Sequence, residues 1–84
     1  MNTQETILLE DTYQIPTYRK YPVALVKGQG CYVWDAEGNR YLDFYGGHCV
    51  TLLGHCPPRV VTALKQQVEQ LLFYSNVVYS PVRA

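Results

Sequence analysis

The chain has 84 residues, of which 48% are apolar, and its seven Lys and Arg residues balance its seven Asp and Glu residues. This length allows one small domain, and the apolar content excludes a disordered chain. The charges form no block of one sign, the first residues do not resemble a signal peptide, and no apolar run is long enough to span a membrane. We therefore expect a soluble, cytoplasmic protein that binds neither nucleic acid nor membrane, with its three Cys reduced.

The N-terminal segment, residues 1–17, is mostly polar, contains one short apolar patch and ends close to Pro16. This pattern predicts a short helix or an arm that lies on another surface. We therefore divide the chain into an N-terminal arm, residues 1–17, and a main unit, residues 18–84.

Strands are predicted from Pro22 onward, where β-branched and aromatic residues stand between glycine-rich breaks. We expect three strands, at residues 23–27, 31–35 and 40–44, joined as an antiparallel meander. In the turn between the last two strands, Asp35 can accept backbone N–H bonds and Gly38 can adopt a positive φ.

One amphipathic helix is predicted over residues 59–72, with its start marked by Pro57 and Pro58. Its apolar residues recur at helical spacing on one side: Val60, Val61, Leu64, Val68, Leu71 and Leu72. We expect this face to pack on the small sheet, which gives an α+β unit of two layers. The apolar tail that follows leads us to expect a piece of a longer protein.

The stretch "GGHCVTLLGHCPP" contains two His-Cys pairs, His48-Cys49 and His55-Cys56. One hypothesis is a free-standing zinc-binding or interaction module built on these four residues, although adjacent residues of an extended chain point to opposite faces. A second is a cysteine nucleophile activated by a histidine. The third hypothesis assigns no chemical role to these residues: both cysteines pack in the interior, and His55 forms hydrogen bonds near the start of the helix.

The order of four motifs is more informative than any one of them. The segments "GQGCYVWDAEGNRYLDF", "GG", "LGHCPPRVVTALKQQ" and "SNVVY" resemble the opening of class III pyridoxal-phosphate-dependent aminotransferases, and above all the acetylornithine and ornithine aminotransferase branch. The resemblance covers residues 18–84. It implies the N-terminal part of the small domain of a fold-type I enzyme: an arm, a small three-stranded antiparallel sheet and a helix that leads to a large cofactor-binding domain.

The resemblance also implies what the complete enzyme would do. It would pass an ω-amino group from an acetylornithine-like donor to 2-oxoglutarate, with pyridoxal phosphate as cofactor and as a homodimer. In the family, the lysine that binds the cofactor and the other cofactor ligands lie beyond residue 84, and Lys20, Lys27 and Lys65 match none of them. We therefore expect no catalytic, cofactor-binding or metal-binding residue in this chain, and an inactive isolated chain.

The resemblance further implies a few binding residues. Tyr18 falls where ornithine aminotransferases place a substrate-contacting tyrosine, and His48 falls where residue type varies with the far end of the substrate. Acetylornithine enzymes commonly carry an aliphatic residue there, so His48 departs from that pattern. Val77 and Val78 resemble a segment that reaches toward the partner's active site across the dimer. The alternatives are a packed aromatic, a structural histidine and ordinary core valines.

Overall fold

The computed structural model describes residues 1–84 and is an α+β arrangement, as predicted. Its first helix, α1 (Thr3–Tyr13), lies within the segment predicted as a helix or an arm. The helix begins at a capping box, because the Asn2 side chain accepts from the backbone N–H of Glu5 (2.8 Å) and the Glu5 carboxylate accepts from that of Asn2 (3.0 Å). None of the helices combines the length and the apolar character that a membrane span requires.

The sheet is the predicted antiparallel meander, with strands β1 (Leu25–Gln29), β2 (Tyr32–Asp35) and β3 (Arg40–Leu42) adjacent in that order. In β2, Val33 pairs with Gly28 on one side and with Tyr41 on the other. Strand β1 begins two residues later than predicted. The Ala24 carbonyl still accepts from the N–H of Ala36, next to β2, but the Ala24 N–H bonds to the hydroxyl of Thr3 and is therefore not available to the ladder.

The turn between β2 and β3 is organised by Asp35, as the sequence predicts. Its carboxylate is buried and accepts from the backbone N–H groups of Glu37 (3.0 Å) and Asn39 (2.8 Å) and from the Tyr41 hydroxyl (2.7 Å). Gly38 has a φ of +87°. Hydrogen bonds from the Asn39 side chain, which has the largest effect, and from the Tyr41 hydroxyl lower the pKa of Asp35. The bond between Tyr41 and Asp35 also raises the pKa of Tyr41.

The core is very small and lies where the start of α1 meets β2 and its turn. Its buried residues are Ala24, Val33, Thr3 and Asp35. Thr3 joins the two parts, since its hydroxyl donates to Glu37 (3.1 Å) and accepts from the Ala24 N–H (3.4 Å). The helix α1 is thereby attached to the sheet mainly through polar contacts.

The predicted packing of the amphipathic helix on the sheet is wrong. The helix itself, α3 (Pro58–Gln70), begins at the predicted proline, but it has no buried residue. On its apolar side Leu64 is 60% exposed and Val68 is 56% exposed. An amphipathic pattern predicts that one face will be covered, but it does not say by what. In this chain the face of α3 has no partner.

Candidate functional site

The loop after β3 contains a left-handed turn, α2 (Gly46–Cys49), where the sequence predicts an irregular stretch. All four of its residues have positive φ, in chain order 62°, 58°, 72° and 59°. Glycine adopts this conformation freely, whereas the backbone strain at His48 and at Cys49 costs about 1–2 kcal/mol each. The turn is closed by bonds from the Cys49 N–H to the Tyr45 carbonyl (3.0 Å) and from the Val50 N–H to the Gly46 carbonyl (2.9 Å).

Asp43 holds the start of this turn. One oxygen of its carboxylate accepts from the backbone N–H groups of Tyr45 and Gly46, both at 2.9 Å, and the other accepts from Nε2 of His55 at 2.6 Å. The bond from the Gly46 N–H, followed by those from His55 and Tyr45, lowers the pKa of Asp43. Asp43 is therefore an ionised anchor at neutral pH.

His55 connects the loop to the sheet. Its backbone forms an antiparallel bridge with Gly30, with N–H···O distances of 3.0 and 2.8 Å. Its ring covers Gly28, where an added Cβ would lie 2.8 Å from both Cβ and Cγ of His55. His55 is thus held by Gly30, next to the end of β1, and by Asp43, and not at the start of α3 as expected. The sequence analysis missed Asp43, although an aspartate just before Gly46 and Gly47 resembles the turn signal of Asp35.

His48 stands on the left-handed turn and faces Tyr45. The Tyr45 hydroxyl is hydrogen-bonded to Nδ1 of His48, and the two rings meet edge to face with centroids 5.6 Å apart. The Nε2 atom of His48 has no hydrogen-bond partner within the chain, and the residue is exposed. His48 can therefore offer Nε2 to an outside molecule.

Tyr18 lies in a different part of the chain. It lines a groove of about 460 Å³ between α1 and the segment that leads into β1, and its side chain is 81% exposed. In the same groove Lys20 pairs with Glu10 and donates to the Gln14 side chain at 3.0 Å. No hydrogen bond or ring contact joins Tyr18 to His48, so this chain alone does not bring the two predicted binding residues together.

Val77 and Val78 lie in the C-terminal tail and are 79% and 48% exposed. The Val77 N–H donates to the Ser75 hydroxyl (3.1 Å), and the Arg83 guanidinium donates to the Val78 carbonyl (2.5 Å). Within this chain they are not core valines.

The four residues of the zinc hypothesis do not converge, and no group of three or more His, Cys, Asp or Glu is placed to hold a metal ion. Nδ1 of His48 and Nε2 of His55 are already bonded to Tyr45 and Asp43. The expectation that Cys49 and Cys56 pack in the interior is also wrong, since all three cysteines are exposed. The backbone of both residues lies in the left-handed region, with φ values of 59° and 48°.

Comparison with known proteins gives consistent matches. The family model for aminotransferase class-III matches residues 13–83. The chain is 48% identical over all 84 residues to the acetylornithine aminotransferase of Methanopyrus kandleri.

Two crystal structures align with it closely. The acetylornithine aminotransferase of Elizabethkingia anophelis gives a TM-score of 0.90 at 35% identity over 95% of this chain. The taurine:2-oxoglutarate aminotransferase of Bifidobacterium kashiwanohense, in complex with PLP and glutamate, gives a TM-score of 0.82 at 28% identity over 95% of this chain.

The matched proteins are much longer than this chain. It spans 21% of the Methanopyrus protein, 21% of the Elizabethkingia chain and 19% of the Bifidobacterium chain.

Proposed function

This chain belongs to the class III aminotransferase family, and on that basis we propose that it is the N-terminal segment of an enzyme that transfers an ω-amino group from an acetylornithine-like donor to 2-oxoglutarate. The observation that carries this proposal is the 48% identity over all 84 residues to an acetylornithine aminotransferase. The choice of 2-oxoglutarate is supported by the structurally similar Bifidobacterium enzyme, a taurine:2-oxoglutarate aminotransferase. Residues 1–17 would form an arm, and residues 18–84 the first part of the small domain.

Within that enzyme, we assign substrate contacts to Tyr18 and His48. Both side chains are exposed in this chain, and each carries a polar group that can bind a ligand. Tyr18 would contact the donor with its phenol ring and hydroxyl, whereas His48 would contact the far end of the donor. Val77 and Val78 would line the partner's site across a homodimer, which agrees with their exposure.

The residues of this chain do not fit pyridoxal phosphate. Its aldehyde requires a lysine that can lose its charge, and such lysines are buried or lie beside other cations. Here all three lysines are exposed: Lys20 is paired with Glu10, and Lys27 lies over the Trp34 ring at 4.6 Å. We therefore route no chemical step through this segment and propose that the cofactor is held by other parts of the complete, cytoplasmic enzyme.

The experiment compares the complete enzyme with the 84-residue chain. Each is incubated with pyridoxal phosphate, 2-oxoglutarate and one donor at a time, namely N-acetylornithine, ornithine and taurine, and glutamate formation is followed. We expect the complete enzyme to form glutamate fastest with N-acetylornithine and the chain alone to form none. Faster turnover with taurine than with either ornithine derivative would overturn the substrate assignment.

A second measurement tests the role of the segment. After borohydride reduction, peptide mapping should find one pyridoxyl-lysine in the complete enzyme and no stoichiometric adduct on Lys20, Lys27 or Lys65. A single stoichiometric adduct on one of these three lysines, with turnover by the chain alone, would contradict the proposal. Tyr13→Phe is a suitable control in both measurements, because that side chain is 80% exposed and its hydroxyl makes no hydrogen bond.

A further inference from the structure

The Tyr45–His48 pair is built into the start of the left-handed turn. Asp43 binds the backbone N–H of Tyr45, and the same carboxylate oxygen binds that of Gly46, so the ring of Tyr45 and the turn that carries His48 share one anchor. The Tyr45 hydroxyl then reaches Nδ1 of His48 three residues later, and the rings lie nearly perpendicular at 76°. The orientation of the imidazole is therefore set at two points, the backbone of the turn and the phenol.

This contact also determines what the free nitrogen of His48 can do. A neutral imidazole has one N–H donor and one acceptor nitrogen. The Tyr45 hydroxyl has no other acceptor in the chain, and a phenol oxygen accepts hydrogen bonds less well than an imidazole nitrogen. The phenol thus donates to Nδ1, which places the ring proton on Nε2. The nitrogen that faces an incoming ligand is then a donor.

We propose that Tyr45 is a positioning residue that fixes His48 as an Nε2–H donor, and that the site therefore selects amino donors whose far end carries a carboxylate or carbonyl oxygen. A donor that ends in an ammonium group has no acceptor to offer to Nε2–H. This proposal rests on the proposed function, because it takes His48 as the contact to the far end of the donor. The Tyr45 side chain makes no other hydrogen bond and the residue is 63% exposed, so removal of its hydroxyl should not disturb the fold.

The first test is spectroscopic and does not depend on activity. The complete holoenzyme is labelled with ring-¹⁵N histidine, and His48 is assigned by the signal that disappears in His48→Gln. We expect one dominant tautomer with the proton on Nε2, and a mixture of both tautomers in Tyr45→Phe, which keeps the ring and removes the hydroxyl. Tyr13→Phe should leave the His48 signals unchanged. A wild-type His48 with its proton on Nδ1, or the same populations in Tyr45→Phe, would overturn the proposal.

The second test measures selectivity with the same variants. Loss of one hydrogen bond that orients the donor should raise the KM for N-acetylornithine by about three- to tenfold in Tyr45→Phe, with little change in kcat. The KM for ornithine should rise by a similar factor, because its far end also carries a carboxylate, whereas the KM for a diamine such as putrescine, which ends in an ammonium group, should change little. In a His48→Gln background, Tyr45→Phe should add nothing, because its effect passes through the imidazole.

The outcomes separate this inference from the proposed function. Additive effects of Tyr45→Phe and His48→Gln on KM would show that Tyr45 does not act through His48 and would refute the positioning role. Unchanged kinetics in His48→Gln would refute the substrate contact and with it the selectivity, while the tautomer measurement still decides whether Tyr45 orients the ring. Absence of transaminase activity toward every donor tested, with the tautomers as expected, would refute the proposed function and the donor selectivity but not the orientation of His48 by Tyr45.

Discussion

Gly28→Ala tests whether the junction of loop and sheet is rigid. An added Cβ at Gly28 would lie 2.8 Å from Cβ and Cγ of His55 and 3.1 Å from its Nδ1. The ring cannot easily give way, because Nε2 of His55 is bonded to Asp43 and its backbone is bridged to Gly30. Gly28 does not have a positive φ, so the backbone itself accepts alanine and the perturbation is purely steric.

The size of the effect follows from two opposing contributions. Forcing an extra methyl group into a packed contact costs about 1–3 kcal/mol. Replacing glycine by alanine where the backbone conformation allows it stabilises the folded state by about 0.4–1 kcal/mol, because the unfolded chain has less conformational entropy. The net loss in Gly28→Ala should therefore be about 1–2 kcal/mol. Since 1.4 kcal/mol corresponds to a factor of ten, the local opening constant should rise by about five- to thirtyfold.

The assay is native-state hydrogen exchange of the two bridging amides, those of Gly30 and His55. Each donates to the carbonyl of the other residue, so both are exposed when the bridge opens. The matched control is Gln29→Ala, which changes the neighbouring exposed position without a clash. In a His55→Gly background the ring and its Cβ are gone, and Gly28→Ala should then slow the exchange of the Gly30 amide slightly.

The result that would refute the reasoning is specific. If Gly28→Ala leaves exchange at Gly30 and His55 unchanged, His55 moves aside at no cost, and neither Asp43 nor the bridge holds it. If Gly28→Ala is equally harmful in the His55→Gly background, the loss arises from the strand itself rather than from the contact with His55.

Three other positions give expectations of known sign. Gly54→Ala adds a Cβ 3.2 Å from the Gly30 carbonyl oxygen at a φ of +83°, so a loss of about 1–2 kcal/mol is expected, seen as faster exchange of the bridging amides. Thr3→Val leaves the Ala24 N–H without an acceptor and should weaken the attachment of α1 by about 1–2 kcal/mol, measured by exchange of the Ala24 amide. Because the native pKa of Asp43 is lowered, its stabilisation is complete above the unfolded pKa of about 4 and is lost as pH falls through the native pKa. Exchange of the Gly46 amide, corrected for its intrinsic rate, should therefore speed up below pH 4, and Asp43→Asn should abolish this step.

The sequence predicts the hairpins well because their signals are local. Asp35 and Gly38 lie within one turn, and the bonds that they make are the ones that their residue types predict. The start of α3 at Pro58 is likewise a local signal. The limits of β1 are less predictable, because Ala24 is withdrawn from the ladder by Thr3, a residue 21 positions away.

The candidate site is predicted less completely, for the same reason. His48 is predicted to be a site residue only through family resemblance, while its partner Tyr45 and the anchor of its turn, Asp43, are recognised only in three dimensions. The bond between Asp43 and His55 spans 12 positions and follows from the bridge to Gly30. No periodicity reports a contact that depends on how a loop folds back on a sheet.

The distribution of polar and apolar contacts indicates which part of the site this segment determines by itself. The turn that carries His48 is held by short hydrogen bonds to Asp43 and by the bridge of His55 to Gly30, just after β1, all within 26 positions of chain. The apolar side chains of α3 and the tail are in contrast left uncovered, with Leu72 and Phe73 79% and 80% exposed. Only Ala24 and Val33 form a buried apolar core, and two such residues supply little of the free energy that holds a domain together. We infer that the geometry of the turn that carries His48 is fixed locally, whereas the chain's own contacts leave the apolar side of α3 and the groove beside Tyr18 uncovered. Under the proposed contact of His48 with the donor, variants in the Asp43–His55 junction should alter the KM for the donor, whereas variants on the apolar side of α3 should not alter the geometry of the turn.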